Sequence, residues 1–182
     1  VQEMVDMVIN AFDKADIYRM PAMILADGLL GQMMEPVTFP EIKKLDIDKS
    51  WATDGHKNKR KHNIVNSLFL TPEVLENSVI DRFAKYDKIK AEETDAEVYL
   101  CDDAEIVVCA FGATARVAKS AVNLAREKGV KAGLFRPKTL WPFPEKELLA
   151  ATENAKNILS VEMSMGQMVD DIKLATECKI PV

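Results

Sequence analysis

The chain has 182 residues and a formal net charge of −5, with 48% hydrophobic and 29% charged residues. That length bounds it at one full domain or two small ones, and the composition is ordinary for a globular protein. The acidic balance argues against general nucleic-acid binding, which needs a basic footprint, and no apolar run reaches the ~18 residues that span a bilayer.

The N-terminus reads "VQEMVDMVIN", with acids and without the basic region of a signal peptide. Its first residue is Val, so we expect a piece of a longer protein. Residues 1 to 20 repeat apolar side chains at helical spacing: Met4, Val5, Val8, Ile9, Phe12 and Ala15. Pro21 ends that helix. "AMILAD", 22 to 27, lies between Pro and Gly and reads as a short buried strand.

Residues 35 to 70 read as an extended inter-domain linker. It holds Pro36, Pro40 and a basic run, Lys57, Lys59, Arg60 and Lys61, beside His56 and His62. Two readings stay open for the run: a solvated linker, or a docking site for an acidic partner or a phosphate. No third ligand accompanies the histidines, so no metal site is expected there.

A long helix follows from 71, with Thr71 as N-cap and Pro72 in the first turn. Its apolar stripe is Leu75, Val79, Phe83 and Tyr86. "EVYLCDD" is a candidate short strand. From 105 the pattern becomes regular. "EIVVCAFG" is a strand, "ATARVAKSAVNLAREKG" a helix capped by Gly129, and "VKAGLF" a strand. "PEKELLAATENA" is a helix opened by Pro144, "KNILSVE" a strand, "GQMVDDIKLATEC" a helix, and "KIPV" the start of a further strand. Such alternation predicts an α/β domain: a parallel sheet with helices on its faces.

Cys109 lies within "IVVCAF" and reads as a small buried hydrophobe. With Cys101 and Cys178 it forms no close ligand pair, so a cluster or structural metal is not expected. Reduced thiols and the lack of an export signal suggest a cytoplasmic protein.

Ligands and partners of an open parallel sheet meet the loops at its strands' carboxyl ends. Three such loops are visible. Phe111-Gly112-Ala113-Thr114 offers a tight turn or an anion-binding helix start. "RPKTLWPFP", 136 to 144, is stiffened by Pro137, Pro142 and Pro144. It presents Arg136, a fork for carboxylates or carbonyls, with Thr139, Trp141 and Phe143. Its readings are a subunit or domain interface, internal packing, or substrate contact. "VEMSMGQM" ends a strand at Glu162 and opens a helix at Gly166 and Gln167, with Ser164 as candidate cap and Met163, Met165 and Met168 as adaptable packing groups. Glu162 suits acid–base work only if buried beside a substrate.

The R-P-x-T-L-x-P-F-P and E-x-x-x-G-Q-M stretches, with "DDAEIVVCAFGATARVAKSAVNLAREKGVKAGLF" before them, resemble the α subunit of 2-oxoacid:ferredoxin oxidoreductases. The match is to its transketolase C-terminal-like domain, a three-layer parallel-sheet α/β fold over 71–182. "AFDKADIYRMPAMILADGLLG" is similar to the end of that subunit's pyrimidine-binding domain, giving a tail over 1–34.

The resemblance implies oxidative decarboxylation of a 2-oxoacid on thiamine diphosphate, with acyl-CoA formed and ferredoxin reduced through iron–sulfur clusters. It places the diphosphate and its magnesium on a partner subunit and the clusters on other subunits or domains. None is expected on this stretch, and no catalytic residue carries over. Arg136, Pro137, Thr139, Trp141, Pro142, Phe143, Glu162, Gly166 and Gln167 are then expected at an interface with other subunits of the complex, which brings in ferredoxin and CoA. Neither nucleic acid nor membrane is expected as a partner. Substrate options are 2-oxoisovalerate, 2-oxoglutarate and pyruvate, and the tryptophan form of the loop resembles the first subgroup. An inert assembly module, or the C-terminal domain of a transketolase or 2-oxoacid dehydrogenase component, are the other readings.

Overall fold

Ile106–Ala110 (β2) is a β-branched run whose alternate side chains face opposite ways, and both faces are covered. The computed structural model describes residues 1–42 and 44–182; position 43, in the expected linker, lies outside them. The chain divides into two units, Val1–Lys85 and Tyr86–Val182.

The second unit holds one four-stranded sheet: Ala96–Tyr99 (β1), β2, Ala132–Pro137 (β3) and Asn157–Val161 (β4), in the order β1-β3-β2-β4. β2 lies parallel to both β3 and β4, with Val107 opposite Gly133 and Ile158. β1 departs from the parallel expectation. It joins the edge antiparallel to β3, with Glu97 opposite Arg136. The candidate strand in "EVYLCDD" is thus real. "KIPV" forms no strand; its Pro181 carbonyl accepts from Ile158 N at 2.8 Å, and proline has no N–H with which to continue a ladder.

Gly112–Glu127 (α4) covers one face. Its Ala115, Ala118 and Val122 pack on Ala110, Ala132 and Leu134, small side chains that let helix and sheet approach closely. Gly129, at φ 82°, follows its end as expected. Glu145–Ala151 (α5) and Gln167–Ala175 (α6) cover the other face, where Phe135, Val107, Cys109 and Ile158 meet Leu148, Met168 and Ile172. Phe135 is fully buried there, a side chain whose burial contributes about 2–3 kcal/mol. Thr152 and Thr176 end these two helices and are buried. Each hydroxyl donates to the carbonyl four residues back, Leu148 and Ile172, at 2.8 Å.

β3 carries one position that only glycine fits. A Cβ at Gly133 would stand 2.8 Å from both Cys101 Sγ and Leu100 O. Cys101 crosses here, its thiol donating to Leu134 O at 3.4 Å, while Leu100 takes φ 55°.

In the first unit Gln2–Tyr18 (α1) forms as its spacing predicts and ends in a left-handed Arg19. The Gln2 amide pairs with Thr38 in both directions, at 2.8 and 2.7 Å, and so holds the extended segment as a neighbouring strand would. Arg19 lies over the Trp51 ring at 4.4 Å. The short Gly28–Gln32 (α2) is capped by Asp27 Oδ1, which accepts from Leu30 N at 2.8 Å. Residues 22 to 27 form no strand, contrary to expectation. Met23 and Leu25 are exposed, and no strand of this unit lies alongside them among the described residues. A segment without a neighbouring strand has no ladder to complete.

Pro72–Glu92 (α3) starts with Pro72 where expected and runs from the first unit into the second. Its predicted stripe is largely exposed, and Ile89 is its buried residue. Among the described residues no helix is long and apolar enough to cross a membrane.

Candidate functional site at the carboxyl edge of the sheet

The parallel strands β2, β3 and β4 all end on one edge, so the three loops predicted from the sequence meet there. Because β1 is antiparallel, its first residue, Ala96, sits opposite Pro137 on that same edge.

Arg136 is the last side chain of β3 but one, inside the strand rather than beyond it. Its Nε donates to Glu97 Oε2 at 2.9 Å, and Lys119 Nζ of α4 donates to Glu97 Oε1 at 2.5 Å. The Lys119 hydrogen bond lowers the Glu97 carboxyl below its ordinary range, against the upward push of burial, and Arg136 adds to the lowering. Lys119 also lies over the Tyr99 ring at 4.5 Å, and Tyr99 donates to Asn123. The guanidinium is thus engaged by an acid 39 residues away.

The loop after β3 is tied to the end of the α3–β1 connection. Lys138 N and Thr139 N donate to Asp95 O at 2.9 and 3.2 Å, and Asp95 N donates to Thr139 Oγ1 at 3.0 Å. Pro137, Pro142 and Pro144 are buried, and Phe143 packs against the α5–α6 core. The Trp141–Pro142 peptide is cis. Trp141 is the exception among these residues: it is 51% exposed, its ring edge-on to Tyr86 at 5.6 Å.

Glu162 lies just past the end of β4, not within it as the sequence suggests, and turns back on the helix that follows. Its carboxylate accepts from Met168 N at 3.0 Å and Val169 N at 3.2 Å, and from the Ser160 and Ser164 hydroxyls. Burial pushes this carboxyl up, but the Ser164, Met168, Val169 and Ser160 hydrogen bonds outweigh it and leave it low. Ser164 therefore does not cap α6; Glu162 does, through the left-handed Gly166 at φ 101°. Gln167 is the first helical residue. Met168 is buried, whereas Met163 and Met165 are 77% and 97% exposed. At the third loop Thr114 Oγ1 donates to Phe111 O, and Gly112 takes φ 59° at the start of α4.

The structure thus gathers the nine predicted residues on one edge and engages most of them internally. An ionised, fully hydrogen-bonded Glu162 is poorly suited to shuttle protons. Sequence reading missed Glu97, Asp95 and Tyr86, the inward partners; the alternation Asp95, Glu97, Tyr99 is a weak trace of them. Among the described residues no three His, Cys, Asp or Glu side chains are grouped to hold a metal. Burial pushes both the Cys101 and Cys109 thiols up, away from the thiolate form that ligates. Among the described residues these two buried thiols do not fit an iron–sulfur cluster.

Residues 104–182 match the family model described as pyruvate:ferredoxin oxidoreductase core domain II. The chain is 47% identical over 180 residues to a ketoisovalerate oxidoreductase subunit VorB of Methanothermobacter marburgensis, covering 98% of this chain and 51% of that one. It is 29% identical to a 2-oxoglutarate synthase subunit KorA of Methanothermobacter thermautotrophicus, covering 95% and 53%. The chain thus spans about half the length of the curated relatives it matches. A solved 2-oxoglutarate:ferredoxin oxidoreductase from Magnetococcus marinus has the same fold, with a TM-score of 0.74 at 22% identity over 97% of this chain and 36% of that one. By its motifs, its fold and its relatives, the chain resembles the 2-oxoacid:ferredoxin oxidoreductase subunits, and residues 104–182 match the core domain II model.

Proposed function

We propose that this chain is part of the α subunit of a thiamine-diphosphate-dependent enzyme that oxidises 2-oxoisovalerate to an acyl-CoA and reduces ferredoxin. The observation that carries the substrate is the 47% identity to a subunit named for ketoisovalerate, against 29% to one named for 2-oxoglutarate. Residues 1–34 are read as the tail of a pyrimidine-binding domain, 35–70 as the linker and 71–182 as the transketolase C-terminal-like domain. Thiamine diphosphate, magnesium and the clusters, which supply the decarboxylation and electron-transfer chemistry, are assigned to the rest of a cytoplasmic complex.

The part played by this stretch is assembly. Arg136, Thr139 and Glu162 build a rigid edge by binding inward. That rigidity lowers the entropy cost of docking Trp141, Met163 and Met165 onto another domain or subunit. An exposed aromatic side chain and exposed methionines on loops of one sheet edge are the composition of a contact surface.

The test uses the full-length subunit co-expressed anaerobically with its neighbouring subunits. Reduction of a viologen dye with CoA is measured with 2-oxoisovalerate, 2-oxoglutarate and pyruvate. The reading expects the highest kcat/KM with 2-oxoisovalerate. Turnover confined to another 2-oxoacid sinks the substrate. No turnover with any, in a complex loaded with thiamine diphosphate and clusters, leaves the assembly module.

A further inference from the structure

In the segment expected to be a plain linker, residues 50 to 63 lack helix and strand but are knitted together. Arg60 Nη2 donates to Asp54 Oδ1 at 2.7 Å and to Ala52 O at 3.1 Å, and Nη1 donates to Lys61 O at 3.1 Å. Asn63 Nδ2 donates to Ser50 O at 2.6 Å and Ala52 O at 2.8 Å. At the tip, Lys57 and Asn58 both have positive φ, and Lys59 N closes the turn on His56 O at 2.8 Å. The His56 and His62 ring centroids lie 3.9 Å apart with the rings tilted by 44°, and His56 Nδ1 accepts from Asn58 N.

One cation, Arg60, is thereby used to build the loop. Lys57, Lys59 and Lys61 are not: all three are exposed, and among the described residues none has an ion-pair partner. In a chain of net charge −5, three unopposed lysines within five residues form a local field of the opposite sign. Such a field attracts and orients anionic partners. The shape of the site separates the anions. A phosphate site gathers donors around one point, through forked Arg groups or backbone N–H groups. Here the fork is spent on the loop's own carbonyls and Asp54, and what remains is three exposed point charges on flexible stems. Separate flexible charges of that kind suit a spread of carboxylates.

We propose that the Lys57–Lys59–Lys61 turn is a docking point for an acidic segment of a partner protein, held in presentable form by Arg60 and Asn63. This does not depend on the substrate or reaction proposed above.

The test uses the full-length subunit in its complex and a fluorescently labelled poly-glutamate peptide as probe, followed by anisotropy at low and high salt. Lys57→Glu, Lys59→Glu and Lys61→Glu together are expected to weaken binding tenfold or more. Binding by the wild type should weaken steeply with salt, and the corresponding triple Arg variant should bind like wild type. Reversal of Lys128, Lys146 and Lys173 is the control, with less than a twofold effect expected. Equal losses in both reversal variants, or no binding by the wild type, overturn the proposal. Competition by inorganic tripolyphosphate at one equivalent and constant ionic strength also overturns it, in favour of a small-polyphosphate site.

Discussion

Arg136 and Glu97 face each other across the β1–β3 pair, Nε to Oε2 at 2.9 Å, and that contact turns the residue best suited to grip a ligand into a strap for the edge strand. Glu97 also holds Lys119, so three elements converge on one carboxylate. Glu97→Gln is expected to cost about 1 kcal/mol, the worth of a partly exposed charged hydrogen bond. The Glu97 carboxyl lies below its ordinary value of 4.5 in the folded state. Its contribution is therefore complete above that value and is lost as pH falls through the lower folded value. Urea unfolding of wild type and variant from pH 7 downward checks this: their difference should shrink only on the acid side.

Glu162 caps α6 from six and seven residues away, accepting from Met168 N and Val169 N. Glu162→Ala should cost about 1–2 kcal/mol, as other lost helix caps do. Amide exchange at Met168 and Val169 should accelerate while exchange in β2 changes only by the global loss. Equal protection at those two amides in the variant would show that the carboxylate does not hold them.

Gly133→Ala places a methyl 2.8 Å from a thiol and from a backbone oxygen. The expected cost is about 3 kcal/mol or more, the upper range for overpacking. Trimming the neighbour in a Gly133→Ala, Cys101→Ala double variant should recover only part of it, because Leu100 O remains in the way. Thermal unfolding of the two variants separates the side-chain clash from the backbone clash.

Trp141→Ala should separate assembly from stability. The side chain is half exposed and meets Tyr86 edge-on, a contact worth about 1 kcal/mol. Unfolding of the subunit should shift by no more than that. Association with the partner subunits should weaken tenfold or more, as for a buried aromatic anchor. Unchanged association, measured by sedimentation, would end the interface reading of this loop.

Much of the second unit was legible because its signals are local. Ile106–Ala110 and the alanine stripe of Gly112–Glu127 each declare a period within one element, and Gly129 and Pro144 mark the boundaries. What was not legible is long-range. Nothing near Arg136 announces Glu97, and nothing in β1 announces an antiparallel edge. The α6 cap escaped because its acceptor reaches around a left-handed glycine instead of sitting at the usual N-cap spacing. Residues 22–27 misled for the opposite reason: the local pattern is that of a strand, but strands are made by neighbours, and this unit offers it none among the described residues.

The two tryptophans fall one to each unit: Trp51 beneath Arg19 in the first, Trp141 beside Tyr86 in the second. The chain thus carries a native spectroscopic label on each half. Trp51→Phe leaves an emitter that reports on the sheet unit alone, and Trp141→Phe one that reports on the α1 unit. Coincident or separate fluorescence transitions in these variants tell whether the halves melt as one cooperative body or as two.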